Sequence, residues 1–118
     1  ELDPEYANAV YNLGAAYSNK AVDVNDLVTA LDDSLRTHRS QLSEAQRQQL
    51  EEQINQLVEE RRQLFAQAIP PLERARALME ARGENVQPIC RALFQAYVQT
   101  DQTEKAKEVE ACAGLNSN

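Results

Sequence analysis

Apolar residues recur at steps of three and four along the first third of the chain. The series is Tyr6, Val10, Leu13, Tyr17, Ala21, Val24, Val28, Leu31 and Leu35. This spacing places all of them on one face of an α-helix. Between Tyr17 and Pro70 the chain contains no Gly or Pro. We therefore predict one helix from about residue 4 to about residue 37, with Asp3 as its N-cap and Pro4 in its first turn.

A second apolar series follows a polar turn at Thr37 to Ser40. Ser43 and Gln46 have the form of a capping box, which predicts the start of a helix. The series then steps by four and three, as in a coiled-coil seam: Leu50, Ile54, Leu57, Arg61, Leu64, Ala68, Leu72, Ala75 and Met79. We predict that this helix ends at about Arg82, before Gly83.

Small residues suggest how the two long helices meet. Gly14 lacks a side chain, so a second helix can approach it closely. If Gly14 packs against Ala68 in an antiparallel pair, the connecting turn must lie near residue 41, where the polar turn falls. The pattern therefore predicts two antiparallel helices in which Gly14 faces Ala68.

The same residues resemble the tetratricopeptide repeat (TPR), a 34-residue helical unit with the pattern W-x2-L-G-x2-Y. The matching positions are Val10 in place of Trp, Leu13, Gly14 and Tyr17 on the first helix, and Ala68, Leu72 and Ala75 on the second. Gly14 and Ala68 are 54 positions apart, whereas the family spacing is about 12, which implies about 42 inserted residues. The resemblance implies an all-α fold of antiparallel helical hairpins in a TPR-like solenoid. Its first hairpin would carry a coiled-coil arm, at about residues 24–63, that projects about 30 Å.

A second, degenerate unit follows after Gly83. Pro88 would open its first helix, and Cys90, Leu93, Phe94 and Tyr97 occupy the places of the family motif. Asp101 and Glu104 resemble a capping box, Ala106 and Ala113 take the alanine places, and Glu110 replaces a large apolar residue. Atypical polar residues are expected in a terminal repeat.

The resemblance also divides the chain. The expected organisation is a single domain, with an extended first repeat at 1–82, a terminal repeat at 83–115 and a tail at 116–118. Glu1-Leu2-Asp3-Pro4 resembles the end of a preceding unit, which implies a longer parent protein. The compartment is not indicated.

Composition narrows the classes of partner. The 118 residues include 42% hydrophobic residues and 3 Gly, and the net charge is -7. Nucleic-acid binding requires clustered Lys and Arg, so an acidic chain argues against it. No apolar run reaches the 18 residues expected of a membrane span.

Enzyme chemistry has little support in the sequence, and no cofactor or metal is expected. The only histidine, His38, lies in the predicted turn, and no phosphate-binding loop, nucleophile elbow or zinc-protease motif occurs. The alternating Glu and Arg of the second helix are typical of solvated ion pairs.

The candidate partner-binding residues lie on the outer side of the first helix. They are Asn8, Tyr11, Asn12, Ala15, Ser18 and Asn19. In proteins that this chain resembles, first helices line a concave groove that holds peptides, and amides there bond an extended backbone. Two interpretations stay open. The residues form a binding face, or they have only a structural role, in which the polar side chains solvate the helix or Asn12 belongs to the consensus pattern of the family. Capture of a terminal carboxylate through Asn12 is less favoured, because Lys20 is the only base nearby.

Cys90 and Cys112 fall on the two helices of the last unit and are predicted to be near neighbours. A disulfide needs Cα atoms closer together than typical helix axes, so two buried thiols are favoured over a bridge.

The sequence thus predicts a non-enzymatic adaptor that presents a helical groove and an arm to a protein or peptide. In the alternative function, the arm mediates self-association and the chain forms a homo-oligomer.

Overall fold

The computed structural model describes residues 4–115. They form four α-helices: α1 (Pro4–Thr37), α2 (Glu44–Ala81), α3 (Gln87–Gln99) and α4 (Thr103–Ala113). A short 3₁₀ helix, Arg39–Gln41, lies between α1 and α2. No β-strand occurs within this range, so the all-α prediction is confirmed. The predicted N-cap Asp3 and the predicted tail at 116–118 lie outside the described residues.

Local sequence signals identify the start of α2 correctly and the start of α4 wrongly. Ser43 Oγ accepts a hydrogen bond from the Gln46 backbone N–H at 3.1 Å, and Gln46 Oε1 accepts one from the Ser43 N–H at 2.9 Å. The predicted capping box of α2 is therefore present. The box predicted at Asp101 is wrong: Gln102 is the N-cap of α4 and makes no side-chain cap. Asp101 instead adopts φ 62° where the chain leaves α3, and its carboxylate pairs with Arg62 at 3.2 Å.

α1 and α2 pack along each other in opposite directions. Arg74 of α2 donates a hydrogen bond to the Tyr6 hydroxyl at 3.0 Å, and Arg61 donates one to Asn25 Oδ1 at 2.8 Å. Contacts to α2 therefore involve lower residue numbers of α2 as the residue number along α1 increases, as expected for antiparallel helices.

The predicted register at Gly14 is wrong by one helical turn. A Cβ on Gly14 would lie 2.7 Å from Leu72 Cγ, 2.8 Å from Leu72 Cδ2 and 3.2 Å from the Leu72 backbone nitrogen. The position is therefore filled by a large side chain rather than by the methyl group of Ala68. Leu72 is fully buried there.

The buried face of α1 also differs from the predicted one. Leu13 is 52% exposed and Tyr6 is 40% exposed, although both were placed in the seam. In the first part of α1, the residues that face α2 are Ala7 and Gly14, which lie one position, or about 100°, after Tyr6 and Leu13. Further along, Ala21 and Val28 of the predicted series are buried as predicted. Small side chains spaced by seven positions, which allow α2 to come close, mark this face: Ala7, Gly14 and Ala21, followed by Val28.

The main core lies outside the arm (residues 24–63), in the part of the molecule that we name the base, where α3 packs on α2. The predicted stripe of α2 is buried from Leu64 to Met79. Phe65 and Ile69 are also buried, one position after Leu64 and Ala68, and so form a second apolar face. On α3, Leu93 and Tyr97 are buried. Because α2 has two buried faces in this segment, it can contact α1 and α3 together.

A disulfide joins Cys90 of α3 to Cys112 of α4, with a Cα–Cα distance of 5.8 Å. The preference for two free thiols is therefore wrong. Alanines are buried on both helices, at Ala96 on α3 and at Ala106 and Ala113 on α4. Their small side chains allow the two backbones to approach within bridging range.

The molecule is elongated, with extents of 61 × 34 × 18 Å and a radius of gyration of 17.7 Å. A compact domain of this length would have a radius of gyration of about 13.5 Å. The arm (residues 24–63) accounts for the difference, because it consists of α1 and α2 alone. No helix in the described part of the chain is long and apolar enough to cross a membrane.

Candidate protein-interaction face

The structure separates the six candidate partner-binding residues into three groups. Asn8, Asn12 and Asn19 are exposed, whereas Tyr11 and Ala15 are half-buried, with Tyr11 packed against the core. Ser18 is only 7% exposed. The steps of four, three and four from Asn8 through Asn12 and Ala15 to Asn19 place these residues on one side of α1.

Ser18 does not belong to an exposed face, and its predicted place there is wrong. It lies on the side of α1 that carries Gly14 and Ala21, which packs against α2. Its hydroxyl oxygen is buried and has no hydrogen-bond partner among the described residues. A small residue fits the close approach of the two helices, and the polar group gains nothing from its position.

The remaining residues form what we name the asparagine face: Asn8, Tyr11, Asn12, Ala15 and Asn19. The three amides each offer a donor and an acceptor to solvent. Tyr11 and Ala15 provide a partly apolar floor between them and the core. The packing of α1 against α2, along Ala7, Gly14 and Ala21, fixes the spacing of the amides, so the face does not need to be ordered by a ligand.

The opposite side of α1 presents an open apolar edge. Tyr6 and Leu13 are exposed there, although the apolar series predicts them in the seam, whereas Val10 and Tyr17 are half-buried and pack against the core. Arg74 of α2 lies over the Tyr6 ring at 5.5 Å from its centroid. The heptad of small residues at Ala7, Gly14 and Ala21 could have identified the true seam from the sequence.

A polar contact within the base links α2 to α3. The Tyr97 hydroxyl donates a hydrogen bond to the Glu73 carboxylate. Burial raises the pKa of Tyr97 above its usual range, and the hydrogen bond and negative charge of Glu73 raise it further. Lys105 of α4 lies 5.9 Å from the centre of the Tyr97 ring. The protonated phenol therefore holds three helices together.

The described residues bring few chemically reactive groups together. His38 is exposed in the turn, where its Nδ1 lies 3.3 Å from Gln41 Oε1. Among residues 4–115, no three His, Cys, Asp or Glu side chains are grouped so that they could hold a metal ion. The two cysteines are joined to each other. Comparison with known proteins gives no matching family model, no matching curated protein and no matching solved structure.

Proposed function

We propose that the chain is a non-enzymatic protein-interaction module, built from two TPR-like units, of which the first carries the arm. The observation that carries this proposal is the asparagine face. Three exposed amides lie in a row on a helix that is held in place by its packing against α2. Such a row suits a peptide in extended conformation, because each amide can both donate to and accept from a backbone group.

Several contacts support the solenoid arrangement in this proposal. α2 runs antiparallel to α1, α3 packs on α2, and α4 packs on α3. Gly14 lies at a close approach of two helices, as the Gly of a TPR motif would. Cys90, Leu93 and Tyr97 are buried in the second unit at the places of the motif. Each unit would therefore cover part of the apolar surface of its neighbour.

In the proposed mechanism the base recognises a peptide and the arm extends the reach of the module. The amides of Asn8, Asn12 and Asn19 would bond the backbone of the peptide, and Tyr11 would contact one of its side chains. Because the helix already holds these groups in place, binding would cost little ordering of the module itself.

A peptide-display selection with the whole chain as bait tests this proposal. We expect selected peptides to bind Asn12→Ala about ten-fold more weakly, since the loss of one well-placed residue in an interface costs about 1–2 kcal/mol. Tyr11→Ala should weaken binding similarly. Asn55→Ala is the matched control, because Asn55 is an exposed asparagine on the arm. Equal binding to all three variants and to the wild-type chain would exclude the asparagine face.

Self-association through the arm is the second candidate function. Within the arm, Val28 is the only buried residue, and Leu27 is 47% exposed. Two helices alone leave such a seam half-open to water. Sedimentation of Leu27→Lys, compared with Leu13→Lys at the exposed edge of the base, separates the two surfaces. If the arm mediates association, only Leu27→Lys should reduce the mass of the particle.

A further inference from the structure

A stripe of exposed residues runs along α1. Its large apolar members are Tyr6, Leu13 and Leu27, which are 40%, 52% and 47% exposed and lie seven and fourteen positions apart. Exposed residues continue the stripe at steps of three and four, as in a coiled-coil seam. We name the complete series the outer stripe: Tyr6, Ala9, Leu13, Ala16, Lys20, Asp23, Leu27, Ala30, Ser34 and Thr37.

The contact between α1 and α2 does not use the outer stripe. Ala7 and Gly14, which pack on α2, follow Tyr6 and Leu13 by one position and so lie about 100° round the helix from them. An amphipathic helix exposes polar residues on the side that is turned away from its neighbour. Large apolar residues that recur at a spacing of seven on an exposed side instead indicate contact with a further helix.

The order of residues along the outer stripe is self-complementary in an antiparallel sense. Members at equal distances from the midpoint between residues 21 and 22 differ in size. Leu13 corresponds to Ala30, and Leu27 corresponds to Ala16. A second α1 laid on the stripe in the opposite direction would therefore set each leucine beside an alanine, which allows close packing without a cavity.

The two charged members of the stripe complement each other in the same register. Lys20 corresponds to Asp23. Both are exposed, and within residues 4–115 neither forms an ion pair inside the chain. A two-fold axis would create the Lys–Asp pair twice, because an isologous interface repeats each contact. A parallel pairing would instead set like charges against each other, so charge favours the antiparallel direction.

We propose that a second copy of this chain packs on the outer stripe, with the two α1 helices antiparallel about a two-fold axis between residues 21 and 22. The arm of each copy would then lie along the base of the other. The inference is independent of peptide binding to the asparagine face. It also differs from association through the arm alone, because Leu13 and Ala16 belong to the base.

The exposed area of the chain agrees with what such a dimer needs. The chain exposes 7593 Å². A compact monomer of its mass, 13.3 kDa, would expose about 6,500 Å², so the excess is about 1,100 Å². Each partner in an interface of standard size loses roughly 800 Å². The excess is therefore large enough to supply one complete interface.

Substitutions near the two ends of the contact test the dimer. We expect sedimentation equilibrium of the full chain to show a dimer. Leu13→Lys and Leu27→Lys should each raise its dissociation constant at least about 100-fold, because the two-fold axis makes each change remove two buried apolar side chains. Val98→Lys is the matched control, since Val98 is 49% exposed on α3 and lies outside the stripe. It should leave the dissociation constant unchanged.

Charge reversal tests the register. Lys20→Glu should raise the dissociation constant about ten-fold, because both Lys–Asp pairs become repulsive. Asp23→Lys should have the same effect. The double variant, Lys20→Glu with Asp23→Lys, should return the dissociation constant to within about two-fold of the wild-type value. Circular dichroism confirms that each variant keeps its helices.

Cross-linking tests the direction of the two helices. Ala9 corresponds to Ser34, and both are small and exposed. When Ala9→Cys and Ser34→Cys chains are mixed, a short thiol cross-linker should join one variant to the other. Neither variant should be joined to itself, because the two copies of residue 9 would lie about 37 Å apart along the helices, as would the two copies of residue 34. The native cysteines do not interfere, since they are joined to each other.

Four outcomes would overturn the inference. A wild-type chain that stays monomeric across a concentration series excludes a second copy and leaves the stripe to a helix of another protein. A dimer that only Leu27→Lys weakens associates through the arm alone. A dissociation constant that ignores both charge reversals excludes the register, and cross-linking of either cysteine variant to itself excludes the antiparallel direction. Peptide binding to the asparagine face can be measured on the monomeric Leu13→Lys chain, so the two proposals fail separately.

Discussion

At Gly14 the two long helices come closer than any other residue of an α-helix would permit. A single added carbon atom would overlap the Leu72 side chain and press on its backbone nitrogen. Glycine lowers the intrinsic stability of a helix by about 1 kcal/mol relative to alanine, so packing must outweigh propensity at this position. Leu72, which fills the space, is among the largest fully buried side chains.

We expect Gly14→Ala to lower the free energy of unfolding by up to about 2 kcal/mol. Overpacking costs about 1–3 kcal/mol and offsets the gain in helix propensity. Urea denaturation measures the change. Ala16→Gly, on the exposed side of the same helix, should cost about 1 kcal/mol from propensity alone. A stabilised Gly14→Ala chain would show that the helices are not in close contact there.

Tyr97 gives the protein a predictable response to alkaline pH. Folding raises the pKa of this phenol, first through burial and then through Glu73. Its stabilising contribution is therefore fully present below the unfolded-state pKa of about 10 and is lost as the pH rises through the folded-state value. We expect the free energy of unfolding to fall more steeply above about pH 10 in the wild-type chain than in Tyr97→Phe.

Chemical denaturation across an alkaline pH series measures this difference. At neutral pH, Tyr97→Phe should cost about 1 kcal/mol, because the hydrogen bond to Glu73 is lost while the ring still packs. If the free energy of unfolding fell equally with pH in the wild-type and Tyr97→Phe chains, the burial of the Tyr97 phenol would be contradicted.

At the scale of the elements, the α3–α4 pair is closed by a covalent bond as well as by packing. The bridge joins positions 22 residues apart, and such a loop corresponds to a stabilisation of about 3 kcal/mol in the chain-entropy account. The two helices are short, with 13 and 11 residues. Isolated helices of that length are marginal in water, so the bridge matters more here than it would in α1 or α2.

We expect reduction, or the double change Cys90→Ala with Cys112→Ala, to lower the free energy of unfolding by about 3 kcal/mol. Thermal unfolding with and without a reductant provides the measurement. The double variant supplies the control, since a reductant should not change it. A wild-type chain whose unfolding ignores the reductant would mean that the bridge does not form.

The elements themselves follow from the sequence, whereas the faces they bury do so only in part. The long uninterrupted pattern and the capping box at Ser43 were enough to predict α1 and the start of α2. The apolar pattern misplaced the seam of α1, because Tyr6 and Leu13 are larger than the alanines and glycine that pack there. Where two helices approach closely, small side chains are favoured over large apolar ones. A pattern of hydrophobic positions does not distinguish side chains by size.

The candidate site, like the buried faces, could be predicted only in part from the spacing of residues along α1. The amides of Asn8, Asn12 and Asn19 could be assigned to a solvent-facing side from their spacing. Ser18 could not, because its position depends on where the seam lies. The disulfide was underestimated because typical helix separations exceed bridging distance, and only the alanines of α3 and α4 bring the backbones closer.

At the scale of the whole molecule, stability is uneven along the long axis. The base contains nearly all of the fully buried side chains, whereas the arm contributes Val28 alone. Regions with few buried apolar contacts open locally at low free-energy cost. The outer part of the arm should therefore be the first part of the helices to fray.

Hydrogen exchange should reveal this gradient. In dilute solution we expect amides of α2 between residues 46 and 58 to exchange faster than those between 64 and 79. If the arm mediates self-association, raising the protein concentration should slow exchange in the first range and leave the second unchanged. Uniform protection along α2 in a dilute sample would contradict the gradient.

α2 continues without a break from Glu44 to Ala81, through Pro70 and Pro71. About half of this rod belongs to the arm, and the other half is clamped between α1 and α3. A sideways load applied near Glu44, where α2 begins, would therefore act as on a lever, and the clamped half would transmit it to Phe65, Ile69 and the helix that rests on them. Whatever holds the outer end would in this way exert force on the base.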